Sequence, residues 1–171
     1  MAQHQRRLDR VLDPTYVEGL DAHTLDDVRR MRNECTEIET EVSYVRRLAQ
    51  ARIDILQAEI DRRSAGGSLG DLIQALPEIL ADSGPRSGAA STRLANPLAP
   101  SMSIQWNRGM ERLVNDATLA NLPTLSEDEL RAAIEQLREL EQEVSNTRRS
   151  LHGVLDAIER ELAHRLAVGS A

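Results

Sequence analysis

The chain has no phenylalanine and no lysine, and among its 171 residues it has one cysteine, one tryptophan and two tyrosines. A wide globular core draws much of its buried area from aromatic rings, so this shortage argues against a single broad core. The lone Cys35 rules out an intrachain disulfide and any cysteine-based zinc cluster. No apolar run approaches the ~18 residues that a membrane span needs. The opening residues MAQHQRRLDR carry no apolar stretch after their basic residues, so no signal peptide is visible and a cytoplasmic protein is expected. With lysine absent, all 21 basic residues are arginine, which keeps its charge everywhere and binds planar, two-pronged targets. Against them stand 28 acids, for a net charge of −7. That balance argues against non-specific DNA binding and suits a basic partner surface.

What remains is rich in Leu, Ile, Val, Ala, Glu and Arg, the composition of long helices or a coiled coil. Residues 1–23 read as a polar leader, with a turn or helix boundary at Asp13-Pro14. Thr24 followed by Asp27 resembles an N-cap and a first-turn acid. From there Val28, Met31, Cys35, Ile38, Val42, Val45 and Ala49 recur in alternating steps of three and four, an a/d heptad seam. The register loosens through Ile53, Leu56 and Ile60 and stops at Ser64-Ala-Gly-Gly67. This predicts a coiled-coil helix over 24–63.

Residues 64–125 read as a linker rich in Gly, Pro, Ser and Ala. Leu69, Leu72, Ile73, Leu76, Ile79 and Leu80 predict a short amphipathic helix in it, interrupted or bent by Pro77. A second is predicted from Ile104 to Asn115, where Met102, Trp106, Met110 and Leu113 have no obvious core of their own. Ser126 to Glu129 then fits a capping box. Leu130, Ala133, Leu137, Leu140, Val144, Thr147 and Leu151 repeat the heptad rhythm, which Ile158, Leu162 and Leu166 extend, predicting a second helix over 126–168. Neither seam can stay dissolved alone, so the expected fold is all-α: two long helices paired as an intrachain coiled coil in a monomer.

An internal repeat lies within these helices. Shifting the chain by 102 places Glu39 to Arg47 on Glu141 to Arg149, Asp54 on Asp156 and Glu59 on Glu161. The polar matches outside the seam are Glu39, Ser43, Arg46, Gln50 and Asp54 in the first helix and Glu141, Ser145, Arg148, His152 and Asp156 in the second. Their steps of 4, 3, 4 and 4 keep each set in one stripe bordering the seam. Only an antiparallel pair puts both stripes on one side of the coil, so that orientation is expected. Arginine can grip guanine O6 and N7, or a phosphate, with two hydrogen bonds. Carboxylates can accept from the guanine N1–H and N2 amine, and the serines are small enough to let a flat base approach. A guanine nucleotide with two-fold symmetry would suit such a pair of stripes. The same spacings also occur on ordinary exposed helix faces, where they form weak salt bridges. Spacing alone therefore leaves open a coiled-coil scaffold or adaptor without a nucleotide. No Ser-His-Asp neighbourhood, phosphate-binding glycine loop or metal-ligand cluster is evident, and His4, His23, His152 and His164 are scattered, so an enzyme is not expected.

The pattern E-x3-S-x2-R-x3-Q-x3-D resembles the ligand signature of RsiG-type anti-sigma factors. The first copy fits at all five positions and the second at four, with His152 in place of the amide. The doubled copy resembles those members in which one polypeptide carries both motif helices. The resemblance implies an antiparallel coiled coil holding an intercalated dimer of cyclic di-GMP at the ten residues of the two copies. It implies a loaded protein that captures a WhiG-like sigma factor of the flagellar type, keeping it from RNA polymerase and late sporulation genes off. It implies no direct DNA binding and no membrane.

Overall fold

Reciprocal caps set where the two long helices begin. The amide of Asp27 donates to the Thr24 hydroxyl at 3.1 Å, and the amide of Thr24 donates back to the Asp27 carboxylate at 3.3 Å. Ser126 and Glu129 make the same exchange, at 3.3 and 2.7 Å. Each exchange satisfies amides that a first helical turn leaves without an intrahelical acceptor. Ser126→Ala removes one of them. It is expected to cost about 1 kcal/mol and to lower the melting temperature by about 2–4 °C. An unchanged melting curve would mean this cap contributes no stability.

In the computed structural model, which describes residues 2–82 and 118–169, the helices are α1 (Ala2–Leu12), α2 (Leu25–Ser64), α3 (Leu69–Asp82) and α4 (Glu127–Gly169). Short 3₁₀ turns cover Pro14–Val17, Leu20–Ala22 and Leu122–Thr124. The 40 residues of α2 and 43 of α4 make rods of roughly 60 Å each. α2 ends where Gly66 takes the left-handed conformation (φ +69°), which lets its amide and that of Gly67 close back on the carbonyls of Arg63 and Arg62. Among the described residues, no helix is long and apolar enough to cross a membrane. The second predicted linker helix, with Trp106, lies outside the described residues.

The chain divides into two compact units, each containing part of both long helices. In the first unit, residues 2–44 and 145–169, the core is Val11, Leu20, Val28, Cys35, Ile38, Val42, Leu151, Leu155 and Ile158. Glu39 of α2 meets Arg148 of α4, while the turn before α2 meets Arg165 further along α4, so the helices run antiparallel. The leader is folded onto α2. Val11 is fully buried, Arg7 reaches Glu37 at 3.0 Å, Arg10 pairs with Glu34, and the Tyr16 hydroxyl donates to Glu34 at 3.1 Å. Burial beside Tyr16 pushes the Cys35 thiol up to about 11, leaving it protonated and inert at neutral pH.

In the second unit, residues 45–82 and 118–144, the core is Val45, Ala49, Leu56, Ile60, Leu130, Ile134, Leu137, Leu140 and Val144, joined by Leu72 of α3 and by Leu122. Gln50 meets Glu141 and Arg63 meets the chain just before α4, which is again antiparallel order. α3 contains Pro77 and buries Leu72, while Leu69, Ile73 and Leu80 stay exposed.

Two positions differ from the predicted seam of the second helix. Ile134 is buried where the strict rhythm chose Ala133, and Leu166 is exposed where the rhythm extended the seam. An α-helix turns every 3.6 residues rather than 3.5, so a strict heptad drifts off the contact face and the bulkier neighbour takes the place.

Candidate functional site

The predicted stripes border the buried seams, and in each unit they touch across the two helices. In the first unit the Glu39 carboxylate accepts from the Ser43 hydroxyl at 2.7 Å, from Arg148 Nε at 2.9 Å, and meets His152 Nε2 at 3.2 Å. Arg148 Nε is shared, since it also donates to the Ser43 hydroxyl at 2.9 Å. Both contacts of Arg148 use Nε, so neither terminal nitrogen of its guanidinium is engaged. Partial burial alone would push the Glu39 carboxyl up. The Ser43 hydroxyl, the Arg148 guanidinium and the His152 ring outweigh it and hold the group below the ordinary carboxylate range.

The second unit repeats the plan with the helices exchanged. Here the acid comes from α4: Glu141 pairs with Arg46 of α2 at 3.7 Å and accepts from the Gln50 amide at 3.3 Å. Under the shift of 102, Glu39, Arg148 and His152 correspond to Glu141, Arg46 and Gln50. The side chains in both sets keep between a fifth and a third of their surface in water, so they are ordered by neighbours yet reachable.

A family profile described as RsiG-like matches residues 14–80 and 116–171. The chain belongs to the RsiG-like family. No curated protein matches it. The match takes in both long helices and all ten predicted residues of this RsiG-like chain, and it also takes in the turns before each helix, which the sequence analysis had left without a role.

Seven of the ten predicted residues enter the two sets: Glu39, Ser43, Arg148 and His152 in the first unit, and Arg46, Gln50 and Glu141 in the second. The other three continue the rows. Ser145 follows Glu141 by four residues and is half-buried, Asp54 lies one turn past Gln50 and is half-buried, and Asp156 lies one turn past His152 and is exposed. Chemically, each set offers donors from a planar guanidinium, an adjacent amide or imidazole, and carboxylates that accept N–H groups. Among the described residues, no group of three or more His, Cys, Asp or Glu side chains is placed to hold a metal ion.

Sequence reasoning missed the anchors that hold the helix ends to the turns. In the first unit Arg165 binds the carbonyls of His23 at 2.9 Å and Leu20 at 2.5 Å, and its Nε is held by Glu161 at 2.6 Å. In the second, Arg63 binds the carbonyls of Leu125 at 2.6 Å and Leu122 at 2.8 Å, and its Nε is held by Glu59 at 2.6 Å. These are again counterparts at a shift of 102. The sequence signal for them is the repeated i, i+4 pair, Glu59 with Arg63 and Glu161 with Arg165.

Proposed function

We propose that this chain is an anti-sigma factor whose coil binds cyclic di-GMP, two molecules to a chain, and in the loaded form sequesters a WhiG-like sigma factor. What carries the proposal is the doubled constellation: an acid, a serine, an arginine, an amide or imidazole and a second acid, present twice at identical spacing, with acid and arginine brought together across the helices in each unit. Membership of the RsiG-like family supports the regulatory, non-enzymatic part of it. Two cyclic di-GMP molecules carry four negative charges and four guanines. Arg46 and Arg148, with Arg47 and Arg149 beside them, supply cations able to take either a phosphate or the guanine O6/N7 edge. A ligand that contacts both coil and sigma factor raises their mutual affinity, and the sigma factor raises ligand affinity by the same factor. The net charge of −7 suits a basic surface on the partner.

One observation favours a second reading, a coiled-coil adaptor without nucleotide. The Glu39–Arg148 and Glu141–Arg46 pairs join the two helices directly, as ordinary ion-pair stitches do. Titration calorimetry of the purified chain with cyclic di-GMP, with and without a WhiG-like sigma factor, separates the two. Saturable nucleotide binding that tightens when sigma is added is the expected result. Sigma capture of equal strength with no nucleotide would make the chain an adaptor, and no heat in either titration would remove the nucleotide from its function.

A further inference from the structure

The two sets differ in one kind of side chain. Where the second holds the Gln50 amide, the first holds the His152 ring, and each meets the acid of the opposite helix, at 3.3 and 3.2 Å. An amide has one charge state, whereas an imidazole gains a proton in the physiological range. The contact fixes which nitrogen takes that proton. Against the cost of its burial, the Ser43 hydroxyl, Arg148 and His152 hold the Glu39 carboxyl below the ordinary carboxylate range. It is therefore ionised at neutral pH and can only accept. Nε2 of His152 carries the hydrogen that faces Glu39 Oε1, and Nδ1 holds the lone pair. The ring is half-buried, within reach of water. The charged groups around it on α4 are Arg148, Arg149 and Asp156, the last two exposed. On α2 they are Glu39 and, in the same row, the exposed Arg32, which donates to Asn33. α1 sends Arg7 and Arg10 to Glu34 and Glu37, on the opposite flank of α2.

We propose that His152 makes the first set a proton-linked anion site, so that cyclic di-GMP binds there with uptake of a proton. With the ring neutral, Arg148 is balanced by Glu39 and the set carries no net charge. A proton taken from solvent at Nδ1 makes the set cationic and turns that nitrogen from an acceptor into a donor. Phosphate oxygens and the O6/N7 edge of guanine are acceptors and the ligand is an anion, so both changes favour it. Affinity therefore rises as pH falls through the imidazole range. The gain is complete below the ring's midpoint in the free chain and is lost as pH rises past its higher midpoint in the loaded chain. The second set, an arginine, a carboxylate and an amide, holds no residue type that titrates in that range. The inference rests on the cyclic di-GMP reading and adds a regulator, the proton, to one of its two sets.

The experiment titrates wild type and His152→Gln with cyclic di-GMP in a calorimeter at about pH 6 and about pH 8. The phosphodiesters and guanines of the ligand keep their charge between these values. Wild type is expected to bind about 5- to 10-fold more tightly at the lower pH, the size of a midpoint shift of up to about one unit. His152→Gln is expected to differ by less than about 2-fold between the two. Wild-type heats in buffers of different ionisation enthalpy should report a proton taken up on binding. Circular dichroism at both pH values checks that the helices persist. An affinity that falls toward acid would show Nδ1 accepting from the ligand, and a pH dependence kept in His152→Gln would place the titrating group elsewhere; either overturns the proposal. If the variant does not fold, wild type decides alone: the imidazole NMR signal of His152 should titrate at a higher pH once cyclic di-GMP is bound, and an unmoved midpoint overturns the proposal. Linkage and function fail separately. Wild type that binds the nucleotide without taking up a proton overturns the linkage and leaves the function standing. Wild type that binds none at either pH overturns both.

Discussion

Replacing Arg46 and Arg148 together by alanine is expected to abolish cyclic di-GMP binding while the helices persist. Each arginine is the one cation of its set, and each two-pronged contact to a base edge contributes about 1–3 kcal/mol. Losing both amounts to a weakening of roughly 30-fold to 10⁴-fold. The structural cost is small. The Arg46–Glu141 and Arg148–Glu39 side chains are 25% and 22%, and 33% and 21%, exposed, and ion pairs this wet contribute about 0–1 kcal/mol each. Alanine is also a better helix former than arginine. Calorimetry and circular dichroism on the same sample therefore read opposite outcomes: lost heat, kept ellipticity. Binding retained within about 3-fold would place the nucleotide elsewhere on the chain, and a collapsed helix signal would make the arginines structural. Capture of a sigma factor by the double variant, tested with cyclic di-GMP present, should fall in parallel with nucleotide binding.

The long helices were legible because two independent signals coincide: a 3,4 apolar rhythm from Val28 to Ala49 and from Leu130 to Leu151, and cap residues at Thr24 and Ser126 ahead of each. The antiparallel order was legible from the polar stripes. What periodicity could not supply was the exact contact face at Ile134 and Leu166, because the helical drift that decides it accumulates over many turns. The leader was obscured by its composition. One buried Val11 and a few arginines facing Glu34 and Glu37 dock α1, too little apolar surface to make a pattern in sequence. The anchors were hidden for a different reason. Arg63 and Arg165 bind backbone carbonyls at Leu122, Leu125, Leu20 and His23, and a carbonyl acceptor leaves no mark in the residue type. Of the candidate site, the residues were readable from their spacing. The pairing of acid with the opposite helix's arginine was not, because it depends on the register between helices.

The largest expected loss of stability comes from one of these anchors. Glu59 is fully buried and receives Arg62 at 2.7 Å on each oxygen and Arg63 at 2.6 Å. Arg62 goes on to the Gly67 carbonyl, and Arg63 to the carbonyls before α4. Removing one partner of a buried pair costs about 3–5 kcal/mol when both partners are sealed from water. The two arginines here keep 18% and 23% of their side-chain surface exposed, so Glu59→Ala is expected to cost about 2–3 kcal/mol and to lower the melting temperature by roughly 5–10 °C. Its counterpart Glu161 is 19% exposed and holds Arg165, so Glu161→Ala should cost under about 1 kcal/mol. Acid supplies the second test. Hydrogen bonding from Arg62, with Arg63 adding to it against the cost of burial, holds the Glu59 carboxyl below its ordinary value. The unfolded chain therefore takes up this proton first as pH falls, and stability falls with it. The contribution is complete above the unfolded carboxyl value near about 4.3 and disappears as pH drops through the lower folded value. Urea midpoints of wild type and Glu59→Gln should thus lie far apart at neutral pH and converge in acid below that value. A gap that stays constant down the acid limb would mean that Glu59 is buried without its charge contributing to the fold.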